Sequence, residues 1–417
     1  MFDGVASVSA SSRCMWVGRH DMRILLTTES YLPYVSGVTV SVDAVARGLG
    51  ARGHEVRVIA PRPARGSGPG PVGSPGPEPE IAWLDSYQLP RLVPPAYRMP
   101  WPNPWARALR DAERWHPDVV HAQSPFVTGL LARDLARAAG APLVFTHHTR
   151  FADYGHYLGP LAGPGSALTD AYLRRFWARC AAIVAPSTDL ADEIRSRVPE
   201  DSRGRVHVVP TGIDVEGIRA LQAIDSRVEA GWPSDAVVIA TLGRLAPEKS
   251  VDVILDAAAV AFERAAAVRL LVIGGGPSED GLRRRAAAFG GRVHLTGALP
   301  RLEALARLQA ADLFAFASRT ETQGLVLSEA LAAGLPAIAV EGPGVADSVR
   351  DGIDGRIIPA DPESTRAGRL GSALAELVED RAVRALMAER AREDAGRFAL
   401  SVRVAEIEAI YLAVSAR

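Results

Sequence analysis

Residues 318–336 read SRTETQGLVLSEALAAGLP, Ser318 to Pro336, and follow an apolar run from Asp312 to Ala317, DLFAFA. The apolar run suits a buried strand, and the stretch after it opens an amphipathic helix. Two carboxylates, Glu321 and Glu329, stand eight residues apart with Gly324 between them. Glu321 falls in the loop and Glu329 inside the helix, roughly 7 to 8 Å below a helix start near Gly324 at about 1.5 Å per residue. A helix N-terminus attracts phosphate, whereas carboxylates beside that positive end grip hydroxyls. A ligand with hydroxyls at both ends and an anion between them is a nucleotide sugar. The spacing alone describes a capped helix carrying two solvated acids more readily, because capping residues are common.

Outward from this stretch the same pattern recurs. Val237 to Leu242 (VVIATL) reads as a strand running into Gly243-Arg244-Leu245-Ala246-Pro247-Glu248-Lys249. Arg244 and Lys249 then sit on a strand-to-helix loop, at the ligand edge of a parallel sheet. Two fixed cations there can hold a diphosphate and neutralise it as it leaves; otherwise they are surface charges. Leu270 to Gly276 and Val293 to Gly297 (VHLTG) precede the opening stretch, and Ala337 to Val340 follows it.

The first half repeats the design. Arg23 to Thr28 (RILLTT) is a strand, ESYLPYVSGVTVS a loop, about Val40 to Arg52 a helix, and Glu55 to Ala60 a second strand. This order opens a doubly wound α/β domain. Gly37 lies where a backbone can approach a phosphate, or is an ordinary turn glycine. His121 ends another strand, and Leu143 to Thr146 runs directly into HHTRFADYGHYLGP. His147 and His148 are placed for function at that strand end, and of the two His148 is the candidate. Ile183 to Ser187 and Val206 to Pro210 close the domain, and Thr211-Gly212-Ile213-Asp214 turns into a hinge. Two Rossmann-like α/β domains facing a cleft are expected.

The bulk numbers agree with a two-domain globular protein: 417 residues, 48% hydrophobic, 23% charged, formal net charge -1. That balance gives no argument for nucleic acid. Two cysteines, Cys14 and Cys180, build neither a metal cluster nor a disulfide framework, which suits a cytoplasmic setting. Residues 1–21 read as a disordered extension or a wrongly assigned start. Residues 61–79 form a Pro- and Gly-rich surface loop. The stretch Arg91 to Trp115 interleaves Trp101, Trp105 and Trp115 with arginines, and Ala167 to Cys180 carries Phe176 and Trp177 among arginines. Each can meet an anionic membrane, or be respectively a Pro-rich loop with a solvated helix and a packed amphipathic helix.

Taken together, Glu321-x7-Glu329, the GRLAPEK loop and VVPTGID, in this order behind the Gly37 loop, resemble the retaining glycosyltransferases of family 4, which have the GT-B fold. The resemblance covers nearly all of residues 22–415. It implies an acceptor-binding domain over 22–212, a nucleotide-sugar domain over 213–395, and a last segment, 396–417, crossing back to the first domain. It implies that Glu321 binds the donor sugar's hydroxyls, Glu329 the ribose, and Arg244 and Lys249 the diphosphate. Gly37 would lie under the phosphates, Leu325 and Val326 after Gly324 would offer them backbone N–H groups, and Gly297 would join the donor site. His148 would contact the sugar near the reacting carbon. Tyr31, Asp153, Tyr154 and Tyr157 are carried over as acceptor contacts. No metal or other cofactor is expected beyond the nucleotide sugar, UDP-glucose or GDP-mannose.

The stretches TETQGLVLSEALAAGLP, HHTRFADYGHY and ESYLPYVSGV look most like enzymes that glucosylate diacylglycerol. They imply a membrane-lipid acceptor at the inner face of the cell membrane. The sequence departs from that group in reading His147-His148-Thr149 and in its scarcity of lysine. The alternatives are a GT-B epimerase and a transferase with a soluble acceptor. A phosphorylase needs a lysine for pyridoxal phosphate, and a dinucleotide enzyme needs a G-x-G-x-x-G after a strand.

Overall fold

The computed structural model describes residues 21–34, 36–64, 74–88, 97–103, 106–150 and 162–416. The apolar runs fold into two parallel sheets. The first holds β1 (Arg23–Thr27), β2 (Glu55–Pro61), β3 (Glu80–Leu84), β4 (Val119–Ala122), β5 (Leu143–Thr146), β6 (Ala182–Ala185) and β7 (Val206–Val208). Their order across the sheet is β3-β2-β1-β4-β5-β6-β7. The second holds β8 (Val237–Leu242), β9 (Val268–Ile273), β10 (Val293–Leu295), β11 (Leu313–Phe316), β12 (Ala337–Val340) and β13 (Gly355–Ile358), in the order β10-β9-β8-β11-β12-β13. Every residue of β4, β5, β11 and β12 is buried. Helices cover both faces, so these strands carry unbroken apolar runs and no alternation.

Both sheets reverse their strand order beside the first strand. The register there is Ile24 opposite Val119 and Ile239 opposite Leu313. Such a reversal leaves a crevice beyond the carboxyl ends of the two strands, where ligands bind in open α/β sheets. The two crevices are thus the ends of β1 and β4 in one domain, and of β8 and β11 in the other.

The helix Leu400–Ser415 leaves the second domain and packs on the first. Val404, Ile407, Ile410 and Tyr411 join the cluster formed by Ile24, Leu26, Val42 and Leu49. The crossing is pinned where Ile213 N–H donates to Phe398 O and Leu400 N–H to Ile213 O, both at 2.9 Å. The helix sits close because Gly48 faces it: a Cβ there would lie 2.5 Å from Val404 Cγ2. Tyr411 is wholly buried, and its hydroxyl meets His121 Nδ1 at 2.6 Å. Glu408 takes Arg52 and His54, the latter at 2.9 Å from Nε2.

Two expectations change here. The first helix starts at Gly37, three residues before Val40, because Ser36 caps it by accepting from Thr39 N–H at 3.2 Å. In the aromatic–arginine stretches, three of the aromatic side chains pack into the fold. Trp115 packs against the first core beneath the Arg57 guanidinium, 4.3 Å from its ring centre. Phe176 and Trp177 are buried. Trp101 is 56% exposed, and Trp105 lies outside the described residues. Among the described residues no helix is long and apolar enough to cross a membrane.

Candidate active site

The loop between β11 and the helix Leu325–Ala332 turns at Gly324, whose φ of +70° is the left-handed conformation that glycine adopts without strain. The helix therefore begins at Leu325. Its first N–H groups, those of Leu325 and Val326, have no acceptor within the helix. Glu321 stays in the loop, and its side chain is paired with Lys249, which the turn Pro247–Lys249 brings from the end of β8. Ser318 Oγ donates to Glu248 O at 3.1 Å and ties the two loops together. Arg244 lies on the same loop as Lys249 but is turned outward onto Glu248. The site thus offers one fixed cation, one carboxylate and a helix N-terminus at the β8–β11 crevice. This set can bind an anion and a hydroxyl side by side.

Glu329 lies about one turn further along the helix and is fully buried. One of its oxygens is paired with Arg301, the first residue of the helix Arg301–Leu308. Among the described residues the other, Oε2, has no partner. A buried carboxylate needs a counter-charge, and Arg301 supplies it while leaving one oxygen to receive a hydroxyl. Gly297, with φ +73°, lies in the turn from β10 that leads to Arg301. Nothing in the local sequence marks Arg301, which is 28 residues from its partner.

Gln323 is a second residue that the sequence reading passed over. Its Oε1 accepts from Thr211 N–H at 2.7 Å, and its Nε2 donates to Thr211 O at 3.1 Å. It fastens the Glu321 loop to the chain that joins the two domains. Beside it, Asp347 accepts from Thr188 N–H at 2.8 Å, and Asp189 accepts from Gly344 N–H at 2.9 Å.

The first domain faces this site. Gly37 opens its helix opposite Leu325, and a Cβ on it would meet nothing nearer than Leu325 Cδ1 at 4.0 Å. The protein itself therefore leaves room there. His148 follows β5 and is half-buried, with Nε2 2.7 Å from Gln123 Oε1. Burial lowers its pKa to about 4, so the ring is neutral near pH 7. Nε2–H then donates to Gln123, and Nδ1 is left as an acceptor. His147 points the other way, packed among Phe145 and Trp177.

Tyr31 does not belong with the acceptor contacts. It is 5% exposed, lies in the first domain's core and donates its hydroxyl to Asp43 Oδ1 at 3.0 Å. It anchors the loop that leads into the Gly37 helix. Asp153, Tyr154 and Tyr157 lie outside the described residues. Among the described residues, no group of three or more His, Cys, Asp or Glu side chains could hold a metal ion.

Known proteins resemble this chain along most of its length. Residues 35–216 match the model of Glycosyltransferase Family 4, and residues 223–394 that of Glycosyl transferases group 1. The chain is 30% identical over 333 residues to an alpha-monoglucosyldiacylglycerol synthase of Acholeplasma laidlawii, covering 76% of this chain and 80% of that one. It is 31% identical over 374 residues to a GDP-mannose-dependent alpha-mannosyltransferase of Mycobacterium tuberculosis, covering 88% and 91%. The fold matches the sucrose-phosphate synthase of Thermosynechococcus elongatus with a TM-score of 0.71 at 18% identity, over 94% of this chain and 99% of that one. It matches Anabaena HepE, solved with UDP and glucose, with a TM-score of 0.68 at 17% identity, over 94% and 100%.

Proposed function

This chain belongs to glycosyltransferase family 4 and is a glycosyltransferase of the GT-B fold, and on that premise we propose that it moves a hexose from a nucleoside diphosphate sugar to a lipid hydroxyl with retention of configuration. The observation that carries the reading is the Lys249–Glu321 pair at the N-terminus of the helix that also holds Glu329. Lys249, with Arg244 swung off Glu248, holds the diphosphate together with the Leu325 and Val326 N–H groups. Glu321 and His148 Nδ1 receive sugar hydroxyls, and Glu329 Oε2 receives the ribose.

In the reaction the bond from the anomeric carbon to the diphosphate oxygen breaks. A bond from the acceptor oxygen to that carbon forms on the same face. The acceptor's proton passes to the departing phosphate oxygen. Lysine and the helix terminus stabilise the charge that develops on the leaving group, and the sugar passes through an oxocarbenium-like state.

One relative's name, an alpha-monoglucosyldiacylglycerol synthase, supports a glycerolipid acceptor, and the names of others give GDP-mannose as their donor. A diacylglycerol-type lipid at the inner face of a membrane suits the exposed Trp101 and Leu168 on the first domain. A panel of UDP-glucose, UDP-galactose, UDP-N-acetylglucosamine and GDP-mannose, each with and without diacylglycerol micelles, tests this through the nucleoside diphosphate released. Release that needs both one donor and the lipid is expected. Release that ignores lipid contradicts the lipid acceptor, and no release from any donor contradicts the transferase reading of the site.

A further inference from the structure

The crevice of the first domain carries three buried polar atoms with no partner among the described residues: Glu29 Oε1, Gln123 Nε2 and Thr128 Oγ1. The three residues are 8%, 5% and 0% exposed. They are contiguous. Gln123 N–H donates to Thr27 O at 2.8 Å, so the ends of β1 and β4 lie side by side. Thr27 Oγ1 donates to Thr128 O at 3.2 Å. Glu29 takes hydrogen bonds from Ser124 and from the backbone N–H groups of Val127 and Thr128, at the start of the helix Val127–Ala139. Those bonds explain one side of the carboxyl group, because Phe126 at the cap position makes no side-chain bond. They leave Oε1 unexplained.

An unmade bond to a buried polar group is costly, so orphaned atoms rarely cluster without a purpose. These sit at the strand-order reversal of the first sheet. The reversal of the second sheet carries Lys249 and Glu321. Half-exposed aromatic rings stand nearby. Tyr34 and Tyr97 meet edge to face at 5.3 Å, and Phe126 stacks on Tyr172 at 6.2 Å. Burial, and after it the Glu29 carboxylate, raises the pKa of Tyr97 and of Tyr172, so both rings stand within reach of that charge. His148, held by the other end of Gln123, connects this corner to the donor side.

We infer that Glu29, Gln123 and Thr128 form the hydroxyl-binding subsite for the acceptor, and that it takes a head that sets a hydroxyl beside further oxygen atoms, as the glycerol of a diacylglycerol sets its free hydroxyl beside an ester. This rests on the transferase reading above. Three orphaned atoms, one accepting, one donating and one able to do either, exceed what a single hydroxyl can satisfy. The aromatic rings offer apolar faces to a sugar or to the start of a lipid chain.

The test uses octyl glucoside below its micelle concentration and 1-octanol, which share a chain and differ in head. Saturation-transfer NMR on the full chain, saturated with nucleoside diphosphate, reads their binding. Octyl glucoside is expected to bind at least tenfold more tightly than octanol. Glu29→Gln and Thr128→Val should each remove most of that difference while leaving nucleoside diphosphate affinity unchanged. Thr128→Val nearly preserves shape, so a folding defect in Glu29→Gln does not decide the matter. Equal binding of the two probes, or preference unchanged in both variants, overturns the subsite. Failure of every donor to turn over, with the octyl glucoside preference intact and lost in the variants, removes the transferase reading and leaves the hydroxyl-binding subsite standing.

Discussion

Lys249 is the only lysine in a chain with 47 lysines and arginines together. Everywhere else a basic side chain is an arginine, so the exception marks a place where arginine does not serve. A compact ammonium can contact both Glu321 and a phosphate oxygen, whereas a planar guanidinium is broader and fixed in its fork. Lys249→Arg should therefore lower kcat/KM by about a hundredfold, roughly 2.7 kcal/mol at the transition state, although the charge is kept. Steady-state kinetics on the preferred donor checks this, and wild-type turnover would assign Lys249 to structure alone. Arg301 was not legible from sequence, because its meaning lies in the buried Glu329 on another helix. Arg301→Met should weaken nucleoside diphosphate binding about tenfold, near 1.4 kcal/mol, and Arg301→Lys should restore part of it, both read by calorimetry. The two glutamates were legible because one loop and one helix fix their separation. Tyr31 was misread because a tyrosine in a ligand loop looks the same whether its hydroxyl faces the cleft or, as here, Asp43.

At the scale of elements, the strands were readable because burial on both faces writes them as apolar runs, as in Leu313–Phe316. Helix ends were less so: Gly37 starts its helix only because Ser36 turns its hydroxyl onto Thr39. The last helix could be seen in the sequence, but its docking needs the fold. It depends on the gap at Gly48 and on the buried Tyr411–His121 contact, the latter joining residues 290 positions apart. Tyr411→Phe should cost about 1 kcal/mol, the usual worth of one hydrogen bond. Gly48→Ala should cost about 1–3 kcal/mol by pushing Val404 out of place. Urea unfolding of both variants checks the order, and a Gly48→Ala midpoint equal to wild type would mean that the two helices do not pack this closely.

At the scale of the whole molecule, three histidines, His121 and His147 buried and His148 half-buried, make stability depend on pH. Burial holds His121 and His147 at about 3 and His148 at about 4, against an ordinary value near 6.5. The unfolded chain takes up these protons first as pH falls, so their contribution is complete above about pH 6.5 and is lost progressively below it. Burial raises Glu29, which acts in the opposite sense above its ordinary value and offsets part of the slope. The urea midpoint should climb from about pH 4.5 to about pH 6.5 and then flatten; a midpoint constant across that range would contradict neutral buried rings. The two-domain architecture was legible because strand and loop signals repeat in both halves. The partnering of orphaned atoms at the β1–β4 crevice was not, because Glu29, Gln123 and Thr128 meet only when two strands lie side by side.

The central claim is transfer of a sugar from a nucleoside diphosphate with its configuration kept. The most direct measurement is a proton NMR time course of the preferred donor with diacylglycerol micelles, following the anomeric proton of the first product formed. The account predicts an α-linked glycolipid appearing in step with one equivalent of nucleoside diphosphate. A β-linked product, or nucleoside diphosphate released with no glycolipid formed, would contradict it.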